Sequence, residues 1–183
     1  MSSIADKVEW MTNKELNGLA QNRFIDKATQ VALAKRNYKL CRQYLANNEN
    51  LCKEARDILW GYRGYVLKSI LVGAGHCVGE PAKYRELYQL IQKRKSFCQW
   101  RLNTAFIRNY WAHNDNRGPR NTPSDVLDSI VLSGKASHYA LRDVTRHPNL
   151  SVKAICKLST HSDSNIRNLA FNRLAQMKKS EEG

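Results

Sequence analysis

Acidic residues are scarce in this chain. Its 183 residues hold sixteen Asp and Glu against thirty Lys and Arg, a formal net charge of +14. Such an excess costs self-repulsion in the compact state and draws polyanions at long range. Nucleic acid is the first partner it points to, and a membrane surface or an acidic protein the next. Long apolar runs are also missing. The longest, Tyr65–Gly75, is interrupted by Lys68 and is too short to span a bilayer. Met1–Met11 carries acids and no apolar run, so no secretory signal is expected. The five cysteines, Cys41, Cys52, Cys77, Cys98 and Cys156, are odd in number and form no CxxC pair. That usage fits free thiols in a reducing compartment, and a cytoplasmic protein without a membrane anchor is expected.

Other chemistries lack their residues. His76-Cys77 is the one His–Cys neighbour pair, and no four ligands stand at zinc-finger spacing, so no metal is expected. The Gly-rich stretch Gly73–Gly79 lacks the Gly-Lys-Ser/Thr ending of a phosphate loop. No segment alternates as a strand does, and no low-complexity run occurs.

What the chain does have is a phrase said twice. Residues 48–59 and 147–158 share Asn50/Asn149, Leu51/Leu150, Ala55/Ala154 and Leu59/Leu158 at matching offsets. A polar turn ending in Asn-Leu, followed by apolar residues at helical spacing, is the mark of stacked helical repeats. The rest of the chain agrees. Thr12 and Asp26 are helix caps, and Thr122-Pro123-Ser124-Asp125 opens another helix. Tyr84, Leu87, Tyr88 and Ile91 follow the 3.6-residue period. Two longer helices are expected over 82–94 and 96–112, then a loop to Pro123. The expected class is all-α, a HEAT-like helical-repeat solenoid with a central two-helix insertion. Its parts are N-terminal repeats over 1–75, a basic, aromatic-rich insertion and loop over 76–122, C-terminal repeats over 123–178, and a tail over 179–183, together one compact unit.

The stretch 147–175, HPNLSVKAICKLSTHSDSNIRNLAFNRLA, resembles the leucine-rich-variant repeat, a HEAT-like all-helical unit. Pro148-Asn149, Leu158, Asp163, Ile166-Arg167 and Ala170 carry the resemblance, and Asn48–Leu59 is a weaker copy. The founding protein of that repeat holds an iron–sulfur cluster on clustered cysteines. The cysteines here are spread along the chain, so no cofactor is carried over. In that repeat type, an Arg after the Asp turn often bonds carbonyls or the Asp of a neighbouring unit, which implies a structural role for Arg167.

Charge concentrates in the middle of the chain. Residues 83–120 hold nine basic residues and two acids, Glu86 and Asp115, with Tyr84, Tyr88, Phe97, Trp100, Phe106, Tyr110 and Trp111 interleaved. Cations neutralise phosphates, and exposed rings stack on unpaired bases; the helical period equally accounts for these rings as core. Lys93, Arg94, Lys95, Arg101, Arg108, Arg117 and Arg120 are the candidate nucleic-acid contacts here. Arg142 and Arg146 join them from a second row that includes Lys153, Lys157, Arg167 and Arg173. The expected function is non-catalytic binding of DNA or RNA, or of a nucleic-acid machine. The alternative is an adaptor for an acidic protein partner. A third reading rests on Trp111 and Asp115, whose spacing is similar to that of HEAT-like alkylpurine DNA glycosylases; helix capping is the simpler role for Asp115.

Overall fold

A computed structural model describes residues 3–93, 99–107 and 117–181. Every regular element among them is helical. In order, they are α1 (Ile4–Lys7), α2 (Asn13–Gln21), α3 (Lys27–Lys35), α4 (Lys39–Ala46), α5 (Lys53–Gly61), α6 (Tyr65–Gly73), α7 (Pro81–Gln92), α8 (Gln99–Leu102), α9 (Arg117–Arg120), α10 (Ser124–Leu132), α11 (His138–Thr145), α12 (Val152–Leu158) and α13 (Ser164–Glu181). A 3-10 turn (Val8–Trp10) follows α1, and a π-helical turn (Asn103–Ile107) continues α8.

Six of the helices start where side chains satisfy first-turn N–H groups that have no partner inside the helix. Ser3 with Asp6, and Thr12 with Glu15, form reciprocal capping boxes at α1 and α2. The carboxylate of Asp26 accepts from Thr29 N–H at 2.9 Å. Ser137 and Ser151 cap α11 and α12 through Ala140 and Ala154 N–H. Asp163 Oδ1 accepts from Asn165 and Ile166 N–H at 2.8 and 3.1 Å at the start of α13. Asp6, Glu15, Asp26 and Asp163 thus serve helix ends, and Asp163 also lies 2.7 Å from His138 Nδ1.

Contacts join alternate helices: α1 with α3, α2 with α4, α3 with α5, α4 with α6, α10 with α12, and α11 with α13. Starts recur at a fixed interval. Asn13, Lys39 and Tyr65 open α2, α4 and α6 at steps of 26 residues, and His138 and Ser164 open α11 and α13 at the same step. The central segment lies within this packing. The helix α7 touches α6 and α10, and the π-helical turn touches α6 and α11. The expected helix over 82–94 is thus α7; of the one expected over 96–112, only 99–107 falls among the described residues.

The helix α6 explains the long apolar run. It meets α4, α5, α7, α8, α9 and the π-helical turn, and a helix surrounded on most sides has little use for a polar face. Its Leu71 and Val72 are fully buried. Its one charge, Lys68, is buried too, and its Nζ lies 2.7 Å from Glu86 Oε1 and 4.6 Å from the Trp60 ring centre. Burial would raise the Glu86 carboxyl, but the bonds from Lys68 and Trp60 outweigh it and hold the pKa below the usual value.

The repeat core follows its expected period. Leu150, Ala154, Leu158, Ile166 and Ala170 are buried, while Leu174 is half-buried against the same core. Three rings of the basic stretch are core residues as well: Tyr84, Tyr88 and Phe106 are buried, with Phe106 edge-on to Tyr88 at 6.0 Å. They offer no exposed stacking platform.

Candidate anion-binding surfaces

The expected contact residues divide into three groups. Arg94, Lys95, Arg108, Trp111 and Asp115 lie outside the described residues, as does Cys98, and so the glycosylase-like pair stands there too. Arg117 is the first residue of α9. Lys93 caps the C-terminal end of α7 and is exposed. Arg101 is half-buried in α8 and engaged with its surroundings. Arg120 and Arg146 are exposed and Arg142 is half-buried.

The turn after α11 docks on the end of α9 and the residues that follow it. His147 Nε2 lies 2.6 Å from Pro119 O, and Asn149 Nδ2 donates to Arg120 O and Thr122 O at 2.9 and 3.0 Å. These bonds tie the backbone of Arg120 to the turn that follows Arg146, and both arginines are exposed. Arg142, half-buried one turn before Arg146, lies with its guanidinium 5.7 Å from the Tyr139 ring centre. Tyr139 is 66% exposed, so it presents an aromatic face beside Arg142. Among the described residues, neither Arg120 nor Arg146 is in an ion pair.

Two members of the basic row bond backbone carbonyls, Arg167 as the resemblance implies and Arg173 in addition. Arg167 Nη1 donates to His161 O and Ser162 O at 2.8 and 2.7 Å. Arg173 donates from Nη1 to Thr145 O at 2.6 Å and from Nη2 to Pro148 O at 3.0 Å. Each clamps carbonyls around a turn, Arg167 from one nitrogen and Arg173 from both arms of its guanidinium. Their charge is partly spent inside the fold.

Other cations are neutralised at the contact of α5 with α7. Arg56 lies 2.8 Å from Glu80 and 3.2 Å from Asp57, and Lys83 lies 2.9 Å from Glu80 and 3.6 Å from Asp57. Arg85 pairs with Asp125 at 2.6 Å, tying α7 to α10. Asp57, Glu80, Glu86 and Asp125 thus stand around α7, the helix that carries the N-terminal part of the basic stretch.

Sequence reasoning missed one basic cluster. Lys39, Arg42 and Gln43 of α4 and Tyr62, Arg63 and Gly64 before α6 line a cleft of about 310 Å³. The Arg42 guanidinium lies 4.0 Å from the Tyr62 ring centre, and the Tyr62 hydroxyl donates to Ala34 O at 3.0 Å. No acid lines this cleft. The first 82 residues carry a net charge of only +4, which conceals a local excess of cations. The 26-residue step between helix starts is the signal that aligns these positions.

Among the described residues, no three His, Cys, Asp or Glu side chains converge to hold a metal ion. Burial pushes the Cys41 and Cys77 thiols up to about 11, which leaves them protonated and unreactive at neutral pH. No described helix is long and apolar enough to cross a membrane. No protein family, curated protein or solved structure matches this chain.

Proposed function

We propose that this protein is a non-catalytic binder of nucleic acid, or of a nucleic-acid machine, built as a HEAT-like stack of helical hairpins. The alternate-helix contacts and the 26-residue step support the stack. In this reading α2, α4, α6, the 99–107 segment, α11 and α13 form one layer. The α7 region belongs to the central two-helix insertion between the N- and C-terminal repeats. The leucine-rich-variant type of the C-terminal units rests on the family resemblance of 147–175.

The observation that carries the binding reading is the distribution of acids. Asp6, Glu15, Asp26 and Asp163 cap helices, and Asp57, Glu80, Glu86 and Asp125 meet cations around α7. Arg120 and Arg146 meanwhile stand exposed, in no ion pair among the described residues, and Arg142 lies 5.7 Å from the exposed Tyr139 ring. Such a surface releases phosphate counterions on binding and offers a ring to an unpaired base. Lys93, Arg94, Lys95 and Arg108 extend the basic surface in sequence.

The test begins with the purified protein, washed in high salt and assayed for nucleic acid released. Binding to labelled duplex and single strands is then measured against salt. The expected result is a log–log slope near −0.9 per phosphate contacted on duplex. A salt-independent affinity for nucleic acid would overturn the reading. Retention of an acidic protein in place of nucleic acid would favour the adaptor.

A further inference from the structure

The helix pairs α4/α6 and α11/α13 are built alike. Lys39 and His138 open α4 and α11, and Tyr65 and Ser164 open α6 and α13, each pair 99 residues apart. The positions just before α6 and α13 differ in a telling way. Before α13 stands Asp163, whose carboxylate accepts from Asn165 and Ile166 N–H and lies 2.7 Å from His138 Nδ1. The Ile166 N–H bond is the main cause holding that carboxyl below its ordinary pKa. So in the C-terminal pair the chain places its own anion between the first turn of one helix and the basic residue opening the other.

In the N-terminal pair that anion is missing and the cations are more numerous. Gly64 stands where Asp163 does, at φ 101, a left-handed conformation that a carboxylate-bearing residue adopts only with strain. No side chain caps α4 or α6. Lys39, Arg42 and Arg63 surround the gap, and none of the three is in an ion pair among the described residues. Arg42 Nε is buried and makes no hydrogen bond, although buried donors ordinarily have partners. The cleft of about 310 Å³ between these groups opens to solvent.

We propose that the α4/α6 cleft binds a phosphate group, held by Lys39, Arg42 and Arg63 and by Val66 and Leu67 N–H. A carboxylate suffices for the single imidazole of the sibling pair. Three full cations and two first-turn N–H groups suit the greater charge and the larger number of acceptor oxygens of phosphate. The source is either a phosphodiester of a bound strand, which rests on the nucleic-acid reading above, or a free phosphate monoester, which does not.

The experiment uses the full chain and a Lys39→Glu/Arg63→Glu variant. Both replaced residues are exposed, so the fold is retained, and the amide spectrum verifies this. Inorganic phosphate is titrated at constant ionic strength, with chloride as the control, while ¹H–¹⁵N spectra are recorded. Val66 and Leu67 amides of the parent shift and saturate with phosphate, and the variant binds at least about tenfold more weakly. A fluorescein-labelled single strand of about 20 nucleotides is then titrated against salt. If the strand uses the cleft, the variant's log–log slope falls by about 0.7 for each phosphate it no longer neutralises. Saturable amide shifts with unchanged strand binding would leave the phosphate site standing with a free monoester as its ligand. Amides silent to phosphate overturn the proposal whatever the strand does, since cations that act without the cleft are a diffuse surface.

Discussion

His147 and Asn48 stand 99 residues apart and make the same pair of hydrogen bonds. Asn48 Nδ2 donates to Ala20 O, and its Oδ1 accepts from Asn50 N–H. His147 Nε2 bonds Pro119 O, and its Nδ1 accepts from Asn149 N–H. A carbonyl can only accept, so the imidazole carries its proton on Nε2 and is neutral. Both side chains thereby tie a turn to the backbone 28 residues earlier. One geometric task, a donor on one side and an acceptor on the other, is met by two chemically different residues.

The exchange predicts a pH effect. Burial is the main cause holding the His147 imidazole below its ordinary pKa; the Pro119 bond opposes it, and Arg173 adds to it. The unfolded chain therefore takes up the proton first, near about pH 6.5. Stability from this site is complete above that value and is lost as pH falls through the folded value, by at most about 1.4 kcal/mol per pH unit. His147→Asn keeps both bonds and flattens this acid limb, whereas His147→Ala loses about 1–3 kcal/mol at neutral pH. Urea unfolding of the three proteins across the acid limb checks both.

Leu158 is 2% exposed, between α12 and the helices that cover it. Leu158→Ala should cost about 2–5 kcal/mol in chemical denaturation. The same change at half-buried Leu174 should cost less, because less apolar surface returns to water. Equal losses at both positions would contradict the packing described.

Arg173 and Arg146 separate stability from binding. Arg173→Ala strands the carbonyls of Thr145 and Pro148 and should lower stability by about 1.5–3 kcal/mol, the scale of bonds to charged groups. Its salt slope for nucleic acid should stay unchanged. Arg146→Glu should do the reverse, leaving stability within about 0.5 kcal/mol and reducing the slope by about one. Denaturation and salt-series titrations on both variants give four numbers, and the crossed pattern is the expected outcome.

Arg120→Glu and Arg146→Glu should weaken binding together less than additively if they contact one phosphate, and additively if they contact two separate ones. A double-mutant cycle on labelled strand at fixed salt distinguishes the two arrangements.

Helix formation and its boundaries were legible in the amino-acid order because they are local. Thr12 and Asp26 sit within three residues of the N–H groups they cap, and Leu150, Ala154 and Leu158, which follow the Asn-Leu turn at helical spacing, are core. The structural role of Arg167 was legible too, since the carbonyls it bonds lie five and six residues away. What the sequence could not decide was which cations remain free, because that depends on partners far along the chain. Arg173 is consumed by carbonyls 25 and 28 residues earlier, and Arg85 by an acid 40 residues later. Lys39, Arg42 and Arg63 become a cluster only when α4 packs beside α6. Local hydrogen bonding and periodicity thus belonged to the sequence, and the assignment of charge to interior or surface belonged to the tertiary fold, since electrostatic pairing acts through space and not along the chain.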